Sequence, residues 1–349
     1  MNNRAERMLF PLGAILASLA LFGVFCALFG ANPFGVYGSI YTAAFGSWYS
    51  WQNTLVRAAP LLLCGLCTAL PARAGVIVIG NEGAVVLGGL GAIAVGLPAL
   101  TLAPWTSLLL MALAAMLCGG LWIGISVALQ HYRGVNSVIS GLLLNYIAIA
   151  LMNELIEGPL RDPTSLNKPA SYPLTADHRL PYFSGTHVHY GLVFGIVACL
   201  VLWFLLERTT AGFAIKIAGG NVRTAKLGGL AVGRLVVMSG FLGGACAGLA
   251  GMVEVAAVHG RANESLNAGY GYVGILVAFL ARQSPLGVLM VSLLVGGLVA
   301  SGGMLQRAHD LPDAAITVFE GILFLVILLS ETAYGRGWLR PARAHASAA

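Results

Sequence analysis

Apolar residues fill ten long stretches of this chain, and polar, charged, glycine or proline residues separate them. Continuous apolar runs of about 20 residues are typical of membrane-spanning helices, whereas the strands of a membrane barrel would alternate apolar and polar residues. Since backbone polar groups in lipid must be satisfied internally, we expect each stretch to be helical. The ten predicted segments are Leu9–Phe29, Leu55–Ala72, Gly83–Pro98, Ser107–Leu129, Ser137–Ile156, Tyr190–Glu207, Leu235–Ala257, Tyr272–Ala281, Pro285–Met304 and Asp313–Ser330.

The composition supports a polytopic membrane protein. Hydrophobic residues make up 58% of the 349 residues and charged residues only 9%, whereas soluble domains carry about 25% charged residues. The sequence therefore predicts an all-α protein that forms a single transmembrane domain over residues 1–349. Its net charge of +6 is spread over loops, which leaves no soluble basic domain to bind nucleic acid.

The distribution of basic residues predicts the orientation. Ten crossings place both termini on one side, and if that side is the cytoplasm, most of the 19 lysine and arginine residues lie inside, as the positive-inside rule requires. Tyr272–Ala281 is too short to cross alone, so eight or nine crossings remain open.

Two loops differ from the others. Residues 158–189 contain five prolines and are predicted to form an ordered loop on the outer surface, because proline blocks regular structure. Residues 208–234 carry five basic residues and no acid, which is typical of a cytoplasmic loop.

The cytoplasmic loop contains a short helix pattern. Asn221 is a favoured N-cap residue, Val222–Leu227 would form about two turns, and Gly228 or Gly229 would end them. We expect Val222, Ala225 and Leu227 on one side, and Arg223, Thr224 and Lys226 on the others. Such a helix either inserts into a groove of a partner protein or lies on anionic lipid.

Glycine-rich sequences interrupt two apolar runs, at Gly80–Gly83 and at Gly269–Gly274. Short broken helices at matching places in two pseudo-repeated halves are typical of a transport pathway. Plain helix packing is the alternative, because the chain has 46 glycines and small residues favour close helix contact.

Polar residues within the apolar segments are candidates for the pathway, since they are costly in lipid. Asn145 either binds substrate or bonds to another helix, and the tyrosines either stack on a ring or anchor at the interface. We expect Glu254 and Glu320 to be structural. The pathway candidates are Asn81, Glu82, Asn145, Tyr146, Tyr270 and Tyr272.

Motifs for catalysis are absent from the sequence. It has no phosphate-binding G-x-x-x-x-G-K-[ST], no H-E-x-x-H and no G-x-S-x-G. Cys64 and Cys67 are expected to be small apolar residues rather than a redox or metal site, and His187 and His189 to be surface residues. We therefore expect no catalytic residue, metal or cofactor in this chain.

Five stretches carry a family pattern: Arg73–Gly83, Gly134–Ala148, Gly158–Pro163, Gly212–Leu230, and Pro285–Val288 together with Leu305–Ala308. From about residue 55 to about residue 330, the chain resembles the permeases of bacterial ABC importers of the nucleoside/simple-sugar group, related to branched-chain amino acid and ribose permeases. It departs from that pattern at Ile77 and Val78, where Phe and Asn are common, and at Ser137, where Glu is usual.

The resemblance implies a transport subunit without its own ATPase site, in the bacterial inner membrane. It implies a second permease subunit, identical or not, cytoplasmic ATPases that use ATP and Mg²⁺, and an extracytoplasmic substrate-binding protein. A nucleoside or purine-like compound leads as substrate, ahead of simple sugars. The residues implied to contact the ATPase are Asn221, Val222, Arg223, Thr224, Ala225 and Lys226.

An ion-driven secondary carrier is the alternative function. Such a carrier would place an acidic residue at mid-bilayer in each half, and Glu82 with Glu254 or Glu320 would fill that role.

Overall fold

The computed structural model describes residues 3–165, 168–312 and 314–335, and its regular elements there are helical. This confirms the all-α prediction. The helices are α1 (Asn3–Leu28), α2 (Pro33–Phe45), α3 (Trp48–Arg73), α4 (Asn81–Gly96), α5 (Pro104–Arg133), α6 (Ser137–Glu157), α7 (Gly191–Arg208), α8 (Thr210–Gly220), α9 (Val222–Leu227), α10 (Val232–Val253), α11 (Tyr270–Leu280), α12 (Pro285–His309) and α13 (Ala315–Gly335). Both chain termini lie outside the described residues, so their predicted cytoplasmic location stays a prediction.

Each of the ten predicted apolar segments coincides with a helix, but not every helix is long enough to span. Within the described ranges, six helices are long and apolar enough, and a seventh span results if Gly13–Leu28 and Pro33–Phe45 are counted together. Three elements are shorter: α4 has 16 residues, α11 has 11, and the apolar part of α13 is Ala315–Ser330. The predicted count of about ten crossings is therefore not confirmed, and neither is the two-repeat layout.

The helices form two compact units. One comprises Met1–Ala43 with Ser301–Ala349, and the other comprises Ala44–Ala300. In the first unit, α1 and α2 meet at an angle of 114°, next to Gly30 in the left-handed region at φ 77°. The ring of Phe22 stacks on Phe319 with centroids 4.3 Å apart. The description of residues 1–349 as one domain stays a prediction.

Glycines allow the helices of the second unit to pack backbone against backbone. A Cβ atom on Gly248 of α10 would lie 2.0 Å from the carbonyl oxygen of Ala115, and one on Gly251 would lie 1.9 Å from that of Val85. These contacts join α10 to α5 and to α4, which is mostly buried. Close approach through small residues is the usual way that helices associate in membranes.

The outer loop is fixed to the end of α10. After Val253 the chain makes a π-helical turn, Glu254–His259, which leaves backbone carbonyls free to accept hydrogen bonds from other segments. Three N–H groups of the outer loop donate to carbonyls in this turn and just after it. Leu180 donates to Ala256 at 3.0 Å, Leu174 to Gly260 at 2.8 Å and Ser171 to Ala262 at 2.9 Å. The proline-rich loop is thus an ordered layer over this turn.

Two side chains of the loop show how it is stabilised. The N–H and hydroxyl of Thr164 donate to Asp162 at 2.9 and 2.7 Å, and these bonds lower the pKa of Asp162. His189 is buried, so its expected place on the surface was wrong. The chain folds back so that His189 lies in a β-bridge to Tyr182.

Candidate translocation and coupling sites

The N-termini of α4 and α11 meet inside the second unit. A Cβ atom on Gly271 would lie 2.3 Å from the backbone nitrogen of Glu82, so only glycine allows the two chains to approach this closely. We call residues 79–83 and 269–272 the junction. The two glycine interruptions predicted from the sequence are therefore neighbours in space.

Glu82 caps the start of α11. Its two carboxyl oxygens accept hydrogen bonds from the N–H groups of Gly269 at 2.8 Å and Gly271 at 2.6 Å, and its side chain is fully buried. The first N–H groups of a helix have no partner within the helix, and a carboxylate there is also favoured by the helix dipole. Glycine at position 269 has no side chain to cap with, so Glu82 supplies the cap from a distant part of the chain.

Asn81 joins the junction to α3. It is fully buried, and its amide donates to the hydroxyl of Thr68 at 2.6 Å. The thiol of Cys67 donates to its carbonyl oxygen at 3.3 Å. Cys64 and Cys67 are free, buried thiols, and Cys67 acts here as a hydrogen-bond donor, a role that the sequence did not predict.

Asn145 on α6 bonds to backbone groups at the start of α4 that have no partner within the helix. Its carbonyl oxygen accepts from the N–H of Gly83 at 2.8 Å, and its amide donates to the carbonyl of Ile79 at 3.1 Å and to the hydroxyl of Tyr272 at 3.2 Å. Three of its hydrogen-bonding positions are thus used within the protein. This geometry matches the interhelical alternative for Asn145 more closely than direct substrate binding.

The three tyrosines have different environments. Tyr272 is held by Asn145 and is 42% exposed, and Tyr146, the next residue along α6, is 69% exposed. Tyr270 is only 5% exposed, and its hydroxyl accepts a hydrogen bond from Arg57 at 2.7 Å. Arg57 was not among the predicted site residues, although it is the first charged residue after a long uncharged run that begins beyond Arg7.

Residues 208–234, the predicted cytoplasmic loop, contain α8 and α9. The side chain of Asn221 accepts a hydrogen bond from the N–H of Thr224 at 3.0 Å, so Asn221 is the N-cap that its sequence position predicts. Gly229 adopts a left-handed conformation at φ 76°, and the N–H of Leu230 bonds to the carbonyl of Ala225 at 3.0 Å. These contacts end the six-residue helix and fix its direction.

One residue of this helix does not face where we expected. Val222 is about half exposed and Leu227 is 83% exposed, but Ala225 is only 1% exposed. The expected grouping of Ala225 with Val222 and Leu227 on one side is wrong, because α9 packs on α8 and α10 and Ala225 is buried whereas the other two are exposed. The exposed set is Asn221, Val222, Arg223, Thr224, Lys226 and Leu227.

The loop rests directly on the end of α3. A Cβ atom on Gly219 of α8 would lie 2.2 Å from the carbonyl oxygen of Arg73. Gly75, at φ 83°, lies against the same glycine. Residues 208–234 therefore contact the segment that leads from α3 into the junction.

Comparison with known proteins decides the family. The family described as "Branched-chain amino acid transport system / permease component" matches residues 50–329. The chain belongs to this permease family. The resemblance inferred from the sequence is confirmed, and the permease is a multi-pass transport component of an ABC transporter rather than an enzyme.

Similar proteins transport different solutes. The permease is 32% identical to the glucose ABC transporter permease protein TsgB13 of Haloferax volcanii, over 92% of this chain and 87% of that protein. It is 28% identical to the guanosine ABC transporter permease protein NupP of Bacillus subtilis, over 95% of each chain. It is 27% identical to the nucleoside ABC transporter permease protein NupB of Lactococcus lactis, over 93% of this chain and 92% of that protein.

Proposed function

We propose that the permease forms, with a second permease subunit, the translocation pathway of an importer for a nucleoside or purine-like compound. Separate ATPase subunits on the cytoplasmic side use ATP and Mg²⁺ to drive it, and an extracytoplasmic binding protein delivers the solute at the outer loop. The names of the guanosine and nucleoside relatives support this substrate class. The permease itself binds no cofactor in this proposal.

The observation that carries the substrate proposal is the ring of Tyr272. Its hydroxyl is bonded to Asn145, and the residue is 42% exposed at the point where the short helices α4 and α11 meet. Short helices that meet in this way are typical of a transport pathway, and in this proposal Tyr272 lies on that pathway. A fixed aromatic face also suits a planar base, since stacking on one is worth about 1–3 kcal/mol.

The exposed side chains of α9 support the coupling proposal. With six residues, α9 is about 9 Å long, and it has only Val222 and Leu227 as large exposed apolar groups. A helix this short buries little area in lipid, whereas two apolar side chains flanked by Arg223 and Lys226 fit a groove with an acidic rim. The ATPase groove is therefore favoured over the membrane surface.

A sugar is the second substrate candidate, and the glucose permease among the relatives favours it. Aromatic rings also offer their faces to the apolar side of a sugar. The two candidates differ in what the ring contacts, so they can be separated by transport measurements.

The test is uptake by the complete complex in liposomes. The permease is purified with the subunits that copurify with it, reconstituted with its binding protein, and given labelled guanosine or labelled glucose. We expect guanosine uptake that requires ATP inside the vesicles and the binding protein outside. Uptake of glucose alone would favour the second candidate.

Reconstitution of the permease without its partner subunits tests the carrier alternative. If the permease alone concentrates solute without ATPase subunits, and an ionophore abolishes this uptake, the importer proposal is wrong.

A further inference from the structure

Both ends of α11 are held by charged residues from one short segment of the chain. Glu82 accepts hydrogen bonds from Gly269 and Gly271 at the start of α11. Just beyond its end, the guanidinium of Arg73 donates to the carbonyl oxygen of Gln283 at 2.9 Å. Arg73 is the last residue of α3, and Glu82 is the second residue of α4.

The two charged residues act on different parts of this segment. A helix has partial positive charge at its N-terminus, so the acid at the start stabilises α11, whereas Arg73 stabilises the turn that follows α11. The turn that follows needs such support, because Arg282 and Gln283 both adopt left-handed conformations, at φ 50° and 58°. Residues other than glycine adopt these angles at an energetic cost.

Between its ends, α11 lies tightly against α3. A Cβ atom on Gly274 would lie 2.5 Å from the Cβ of Cys64, and Gly271 lies against Glu82. Contacts this close leave little room for the helices to slide past one another. α3, the start of α4 and α11 therefore form one closely packed group, which we call the α11 cradle.

The α11 cradle is joined to the cytoplasmic loop. The backbone carbonyl of Arg73 lies against Gly219 of α8, and the side chain of Arg73 donates a hydrogen bond to the carbonyl of Gln283. Arg73 thus contacts both α8, through its carbonyl, and the turn after α11, through its side chain.

The start of α11 is joined to the outer loop. Leu174 and Ser171 of that loop bond to Gly260 and Ala262, and the chain then runs through a 3₁₀ turn, Glu264–Leu266, to Gly269. Gly269 is bonded to Glu82. α11 thus lies between the outer loop and the cytoplasmic loop and carries Tyr272.

From this arrangement we infer that Arg73 and Glu82 are positioning residues that make α11 the rigid link between the coupling loop and the translocation pathway. Arg73 transmits the displacement of the cytoplasmic loop to α11, and Glu82 fixes the start of α11, and with it Tyr272, against α4. This inference deepens the proposed importer function and rests on it.

The experiment compares three variants of the purified full complex. Arg73→Gln removes the charged donor, Arg73→Lys keeps a charged donor, and Arg282→Gln removes an exposed positive charge from the same turn as a matched control. The measured quantities are basal ATP hydrolysis, the half-saturating concentration of loaded binding protein, and solute transported per ATP hydrolysed.

We expect Arg73→Gln to lower the amount of solute transported per ATP about tenfold, because this variant loses the charge-assisted hydrogen bond between Arg73 and Gln283. Basal hydrolysis and the half-saturating concentration should stay within about twofold of wild type, because neither surface is altered. Arg73→Lys should restore most of the coupling, and Arg282→Gln should resemble wild type. Wild-type coupling in Arg73→Gln, or an equal loss in Arg282→Gln, would overturn the inference.

A second measurement does not depend on transport. Hydrogen exchange of the purified complex should be faster at residues 281–284 in Arg73→Gln and unchanged there in Arg282→Gln. Unchanged exchange in Arg73→Gln overturns the inference whatever the solute. If exchange is faster in Arg73→Gln but the wild-type complex imports no solute, the proposed function is contradicted and the positioning role of Arg73 is not.

Discussion

The carboxyl group of Glu82 accepts a hydrogen bond from the N–H of Gly271 at 2.6 Å, although 189 positions separate the two residues. The same carboxyl group also binds Gly269, so one buried side chain satisfies two N–H groups at the start of α11. Buried N–H groups without partners are costly. The stability of α11 therefore depends on a residue of another helix.

The first prediction concerns removal of this cap. Glu82→Ala should destabilise the permease by about 3 kcal/mol, because the buried N–H of Gly271 and the partly buried N–H of Gly269 lose their partner. Glu82→Gln should cost less, since its amide oxygen can still accept one of the two bonds. Thermal unfolding of the purified complex measures both effects.

Glu154→Ala is the control for this prediction, because Glu154 is an exposed acid on α6. It should leave the unfolding temperature nearly unchanged. Equal unfolding temperatures for Glu82→Ala and Glu154→Ala would show that the cap contributes little.

The second prediction concerns the ring of Tyr272. Tyr272→Leu should lower the maximal transport rate of the complex about tenfold, because a stacking surface worth about 1–3 kcal/mol is lost. The half-saturating solute concentration should change little, since the separate binding protein captures the solute. Tyr272→Phe keeps the ring but loses the bond to Asn145, and its effect should be smaller.

Phe204→Leu provides the comparison for Tyr272→Leu, since Phe204 is an exposed aromatic residue on α7. It should transport like wild type. If both leucine variants transport at the wild-type rate, Tyr272 does not line the pathway.

Most of the helices could be predicted from the sequence because each of these follows from an apolar run or a local cap. The ten apolar segments all became helical, and Asn221 was recognised because an N-cap bonds only three residues along the chain. α2 and α8 were missed because they are short and rich in glycine, alanine and hydroxyl residues. A local pattern is enough only where the structure itself is local.

The partners of the site residues could not be predicted, because they are far apart in the sequence. Arg57 and Tyr270 are 213 positions apart, and Arg73 and Gln283 are 210 apart. A sequence gives the residue types but not which of them meet, and six residues of α9 are too few to establish which face is buried. Ala225 was assigned to the wrong face for that reason.

The third prediction concerns the exposed end of α9. Leu227→Ser should weaken binding of the ATPase subunits about tenfold, since burying a leucine side chain contributes about 1.5–3 kcal/mol. Copurification at increasing dilution measures this binding. Ala225→Glu is not an equivalent test, because Ala225 is buried and a charge there would disrupt the loop itself.

Thr224→Ser is the control for Leu227→Ser, because it alters an exposed residue of the same helix without removing a large apolar group. It should bind the ATPase as wild type does. Unchanged binding by Leu227→Ser would instead favour a lipid-facing role for α9.

The last prediction concerns pH and His189. Burial lowers the pKa of His189 below its usual value of 6.5, and the carboxyl group of Glu254 opposes this shift. Among the described residues, neither nitrogen of its ring has a hydrogen-bond partner, and the ring lies edge-on to Tyr182. The folded outer loop therefore favours the neutral imidazole, whereas the unfolded chain binds a proton more readily.

Stability from this residue is present above pH 6.5 and is lost as the pH falls below that value towards the lower pKa of the folded state. We expect the unfolding temperature of the complex to fall between about pH 7.5 and about pH 5.5, and to fall less in His189→Gln. His187→Gln, which alters an exposed histidine of the same loop, should keep the wild-type dependence. If His189→Gln also keeps it, another group sets the stability of the outer loop at low pH.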